Sequence, residues 1–132
     1  MANANPRIMQ PKGKTVLVVD DSQPVRRNVC SALASDGFDV CGEANDGQEA
    51  IELAGQLSPD LIVLDVSMPV MNGLQAAPVL RKLVPNSPII LFTVYAGKVV
   101  EQQLRTLPVD AVVSKGEPLS NLIDKAHALV GE

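Results

Sequence analysis

Short apolar runs alternate along this chain with stretches in which apolar residues recur at helical spacing, and the alternation holds to the end. Thr15–Val19 (TVLVV) is a β-branched run that closes on two acids. Val25–Leu33 then places Val25, Val29, Ala32 and Leu33 on one helical face. Ser22 stands where an N-cap belongs, Pro24 suits the first turn, and Gly37 follows the expected helix end. A strand over Phe38–Gly42 comes next, then a turn at Asn45-Asp46-Gly47 and a helix over Gln48–Leu57 with Ala50, Ile51, Ala54 and Leu57 inward. Leu61–Leu64 (LIVL) is apolar throughout, as a strand covered on both faces must be, and it ends on Asp65.

A loop over Val66–Gly73 leads into a third helix covering roughly Leu74–Val84. Pro78 falls inside it, where it removes a backbone donor and clashes with the turn before it, so that helix is expected to start late, near Ala77. Pro88–Phe92 (PIILF) reads as the fourth strand, ending on Thr93, and Lys98–Leu107 as the next helix. Asp110–Val113 is a short fifth strand followed by Ser114 and Lys115, and Pro118–Val130 is the last helix. Five strand–helix units in strict alternation, joined by right-handed crossovers, specify an α/β fold: an open parallel sheet with helices on both faces.

Composition narrows this picture. Apolar residues make up 46% of the 132 residues but aromatics only 2%, so the core is aliphatic. The length suits one domain, expected over residues 14–132 after a flexible N-terminal segment, 1–13. No apolar run approaches the roughly 20 residues of a membrane span, and the start lacks a signal peptide's apolar stretch, so the protein is expected to be cytoplasmic. A net charge of −4 disfavours nucleic acid and anionic membranes as partners. Cys30 and Cys41 have no metal or redox spacing and read as reduced packing residues. Arg26 and Arg27 read as an exposed helix face, and His127, the single histidine, as a solvated helical residue.

In an open doubly wound sheet, ligands sit outside the carboxyl ends of the strands. Asp20 and Asp21 close the first strand, Asp65 the third and Thr93 the fourth, and the fifth reaches Lys115. Crowded carboxylates repel one another and call for a cation. With oxygen ligands only, a hard Mg²⁺ ion is the natural choice, and phosphate oxygens are its usual further partners. Lys115 and Thr93 are suited to hold phosphoryl oxygens, and a carboxylate can itself be the nucleophile. Asp65, alone at the end of the most buried strand, is the best candidate, with Asp20 and Asp21 as metal holders.

VLVVDDSQPVRRNV, PDLIVLDVSMPVMNG, PIILFT and AVVSK together resemble the receiver domain of bacterial two-component response regulators, over roughly Lys14–Val130. The resemblance implies a flavodoxin-like sheet of strand order 2-1-3-4-5. It implies that Asp65 takes a phosphoryl group from a sensor histidine kinase or a histidine phosphotransfer protein. Asp20, Asp21 and Asp65, with the backbone carbonyl of Ser67, would hold Mg²⁺. Thr93 matches the switch hydroxyl and Lys115 the lysine that pairs with the phosphoryl group. The face built by the fourth helix, fifth strand and last helix would then change its affinity for a downstream protein target or an output domain. Such a chain is a phosphoacceptor signalling domain rather than an enzyme, though one that assists its own phosphorylation and dephosphorylation. It reads as a stand-alone regulator acting by protein contact, the alternative being the receiver of a larger regulator.

Several positions depart from the family pattern. Val94 stands where a small residue is usual and would crowd the phosphoryl pocket. Val112 replaces an aromatic, which removes a ring-flip readout, and Lys115 is followed by Gly116 rather than proline. Tyr95 lies two residues past Thr93, as a loop aromatic or an influence on hydrolysis. These departures leave room for a receiver-like interaction module that does not cycle phosphate. A flavin-binding relative of the fold is disfavoured because Asp21-Ser22-Gln23-Pro24 puts an acid where a phosphate loop would lie. A covalent-aspartate phosphatase would carry its nucleophile on the first strand, with the second acid spaced from it.

Overall fold

A computed structural model describes residues 13–94, 102 and 106–131. The expected lead-in before Gly13, Tyr95 and, of the helix expected over residues 98–107, residues 98–101 and 103–105 lie outside them. Five parallel strands form one sheet, β1 (Thr15–Val19), β2 (Asp39–Ala44), β3 (Leu61–Leu64), β4 (Ile89–Thr93) and β5 (Ala111–Ser114). Their spatial order is β2-β1-β3-β4-β5, the order the resemblance implies. Four helices are described, α1 (Gln23–Ser35), α2 (Gly47–Leu57), α3 (Gly73–Leu83) and α4 (Leu119–Val130).

Alternation along the strands divides the core in two. Val16, Val18, Leu61, Val63, Ile90 and Phe92 pack with Val29 and Leu33 of α1 and Leu122 and Ala126 of α4. Leu17, Val19, Ile62, Leu64, Ile89 and Leu91 turn the other way, against Ala50 and Ala54 of α2 and Ala77 and Leu80 of α3. A sheet covered on both sides explains why its central strands are apolar at every position. Cys30 and Cys41 are half-buried and form no disulfide.

β2 runs two residues further than expected and holds an irregularity. Its register against β1 slips between Val16↔Val40 and Leu17↔Gly42, leaving Cys41 as an extra residue whose thiol donates to the Val16 carbonyl at 3.5 Å. The bulge reverses the phase of the strand. Val40 packs on the α1/α4 side and Ala44 on the α2/α3 side, although residues four apart in a regular strand share a face.

The helix termini follow local chemistry. Ser22 caps α1 through the Val25 amide, as expected. The late start expected for α3 is not what forms. That helix begins at Gly73, where Asn72 and Gln75 exchange backbone and side-chain bonds in a capping box of 2.9 and 3.0 Å. Pro78 sits inside the helix on its exposed side, and the capping box together with the buried packing of Ala76, Ala77 and Leu80 holds the helix through it. His127 also departs from expectation. Its ring is half-buried against Phe38, 4.7 Å between centroids, and Nε2 pairs with the Asp36 carboxylate across the α1–α4 contact.

Candidate functional site

The carboxyl ends of β1, β3, β4 and β5 meet at one edge, and the polar residues that close them converge there. Asp20 and Asp65 are 3% and 5% exposed, Thr93 is fully buried, and Asp21 reaches solvent. One carboxylate oxygen from each of Asp20, Asp21 and Asp65 lies within 4.8 Å of the others. Lys115 comes from the far side, its Nζ 2.7 Å from Asp20 Oδ2 and 3.3 Å from Asp65 Oδ1. The turn that carries it is tied to the fourth strand, since the Lys115 amide donates to the Thr93 carbonyl at 2.8 Å.

Backbone donors aim the acids. Asp20 Oδ1 accepts from the Ser22 amide and Asp65 Oδ1 from the Val66 amide, each at 2.8 Å. Gly73 lets α3 begin hard against the end of β3: a Cβ there would stand 2.1 Å from the Asp65 carbonyl oxygen. Between them the loop makes a three-residue turn in which the Met71 amide donates to Pro69, 2.6 Å, and Val70 adopts φ 65° with its side chain 83% exposed. A β-branched residue in that region is strained. Ser67 is exposed two residues past Asp65.

Electrostatics set the demand. Burial, followed by the charge of Asp20, raises the Asp65 carboxyl above its ordinary range, and Lys115 and the Val66 amide only partly offset this. Burial pulls Lys115 down, but its bonds to Asp20 and Asp65 outweigh that and hold it above the usual lysine range. One ammonium facing three carboxylates leaves the site electronegative. A donor set of carboxylate oxygens with surplus negative charge fits a hard divalent cation. Among the described residues, the cluster consists of the three aspartates and brings no soft ligand.

All five side chains expected at the site, Asp20, Asp21, Asp65, Thr93 and Lys115, therefore lie at this edge. Val94 does not crowd it from within, since its side chain is 65% exposed. Val112 is half-buried against the α2/α3 core. Arg26 was expected on an exposed face, but its side chain is only 12% exposed. Its Nη1 donates to the Asp20 carbonyl at 2.6 Å and to Asn45 Oδ1 at 2.9 Å, and its Nε to Glu43 at 2.8 Å. The signal was present in the helical phase: Arg26 lies three and seven residues before Val29 and Leu33, on the buried stripe of α1.

Comparison with known proteins agrees with this geometry. Residues 16–127 match the response regulator receiver domain. The chain is 40% identical over 79 residues to the chemotaxis protein CheY of Thermotoga maritima, covering 60% of this chain and 66% of that one. It is 33% identical to the transcriptional regulatory protein PdtaR of Mycobacterium tuberculosis, covering 83% of this chain and 53% of the relative. It thus spans about two thirds and about half of these relatives' lengths. The receiver domain of the Francisella response regulator 1452 superimposes with a TM-score of 0.83 at 26% identity, covering 90% of this chain and 98% of that one. Among the described residues, no helix is long and apolar enough to cross a membrane.

Proposed function

The chain belongs to the response regulator receiver domain family, and from that premise we propose that it is a phosphorylation switch whose acceptor is Asp65. The observation that carries this reading is the junction at one strand edge of Asp20, Asp21 and Asp65, whose carboxylate oxygens lie within 4.8 Å of one another, with Lys115 Nζ 2.7 Å from Asp20 and 3.3 Å from Asp65. Asp20, Asp21, Asp65 and the Ser67 carbonyl are the residues that would hold Mg²⁺. When bound, it would supply charge neutralisation for the phosphoryl oxygens.

The chain's own groups do the rest. A carboxylate oxygen of Asp65 attacks the phosphorus of a phosphohistidine on a sensor kinase or phosphotransfer protein. The P–N bond breaks, and the departing imidazole keeps the electron pair. Lys115 gives up part of its contact with Asp65 and takes a phosphoryl oxygen, while Asp20 keeps its ammonium in place. The Thr93 hydroxyl takes another oxygen, and its displacement starts the change on the partner-binding face. Val112 offers no ring to turn inward, so that change proceeds through backbone and aliphatic packing around β4 and β5. In the reset, water attacks phosphorus, the bond to Asp65 breaks, and inorganic phosphate leaves.

Intact-protein mass after incubation with acetyl phosphate, in Mg²⁺ and in EDTA, tests the reading on wild type and Asp65→Ala. One phosphoryl adduct that needs Mg²⁺ and vanishes in the variant is expected. No adduct in folded wild type would favour an interaction module that does not cycle phosphate.

A further inference from the structure

Asp20 is held at more points than any other acid of the site. Its amide donates to the Ala44 carbonyl at 3.0 Å, Oδ1 accepts from Ser22 and Oδ2 from Lys115. Its carbonyl oxygen accepts from Arg26 at 2.6 Å. The arginine is in turn gripped from β2 and the turn after it, through Glu43 and Asn45. Asn45 is itself fixed, its amide donating to Glu49 Oε1 of α2 at 2.7 Å.

We propose that Arg26 is a positioning residue of the acidic site: its guanidinium clamps the main chain of Asp20 to the end of β2 and so aims the Asp20 carboxylate at Asp65 and Lys115. This inference rests on reading Asp20 as part of a Mg²⁺-dependent phosphoacceptor. The role is geometric and not one of charge. Glu43 lies 2.8 Å from Nε and balances the arginine locally, so little of its field is left for the carboxylates. What remains is the rigid fork, which donates from Nε and Nη1 in fixed directions at once. A lysine has one nitrogen on a flexible stem and cannot span both sides. Groups that orient a metal-binding residue without touching the metal typically govern affinity by a factor of ten or more.

The test is a calorimetric titration of the full chain with Mg²⁺, in wild type, Arg26→Lys and, as an exposed control on the same turn, Arg27→Lys. It is paired with the amide resonance of Ser22, which reports the Asp20 carboxylate. Arg26→Lys is expected to weaken Mg²⁺ binding by about tenfold and to shift the Ser22 amide in EDTA, with Arg27→Lys unchanged in both. Wild-type affinity in Arg26→Lys would overturn the proposal, and so would equal weakening in both variants, since Arg27 is exposed and both changes keep the charge, which would mark a general effect on α1 and not the clamp. If Arg26→Lys does not fold, Asn45→Ala removes one grip on the guanidinium and keeps its charge. It is expected to weaken Mg²⁺ in the same direction, and wild-type affinity there would equally overturn the clamp. Failure of wild type itself to bind Mg²⁺ would instead bring down the phosphoacceptor reading, and the clamp with it.

Discussion

Asp65 is held in a state the fold alone does not favour. Burial and the neighbouring charge of Asp20 raise its carboxyl above the ordinary value of 3.8. The folded protein therefore binds that proton more tightly than the unfolded chain does. The contribution of Asp65 to stability is fully present below the unfolded value and is lost as pH rises through the raised folded one. Without a divalent ion, Asp65 thus weakens the fold as pH rises above its unfolded value. Asp65→Asn in EDTA should raise the urea midpoint at pH 7, and the advantage should shrink to nothing as pH falls toward 4. Equal midpoints at both pH values would mean that Lys115 alone balances the site. Residues of this kind were legible in the sequence because Asp20, Asp65, Thr93 and Lys115 are the polar positions closing otherwise apolar strands. Arg26 was legible only in part: its helical phase puts it on the buried stripe of α1, but no local pattern encodes the reach of its side chain back to Asp20 and across to β2.

At the scale of elements, strands and helices were readable from periodicity, and the misreadings have local causes. α3 begins at Gly73 because a reciprocal cap satisfies its first donors, and buried Ala76, Ala77 and Leu80 hold it through a proline five residues further on. That proline still costs a hydrogen bond and a backbone clash in an exposed helix interior. Pro78→Ala should stabilise the protein by roughly 1–3 kcal/mol, read from urea denaturation. No gain would indicate that the stiffness proline lends the unfolded chain offsets its cost in the helix. Gly73 shows the opposite case, a residue whose missing Cβ is required by the Asp65 carbonyl. The extra residue at Cys41 could not be read from sequence, since a bulge depends on the partner strand's register and leaves the apolar pattern of β2 merely weak.

Across the whole molecule, protection should grade from the middle of the sheet outward. β3 and β4 are buried at every position and β1 at all but its first, whereas β2 and β5 are mostly half-exposed. Amides of β1, β3 and β4 should exchange with deuterium only through global unfolding, and those of β2 and β5 through smaller openings. Uniform protection across all five strands would refute this gradient. The chemistry then sits where a rigid centre meets looser flanks, with three acids just past the rigid strands and Lys115 just past a flank strand.

The slipped register of β2 has one more effect. At the end of the described sheet, a straight strand would present an even ladder of unpaired amides and carbonyls, a ready template for another chain. With Cys41 inserted, the spacing of that ladder breaks midway, and a stranger's strand can match one half of β2 but not both. The bulge acts as a guard against edge-to-edge aggregation, so the protein should tolerate crowding at concentrations where a regular edge would seed fibres.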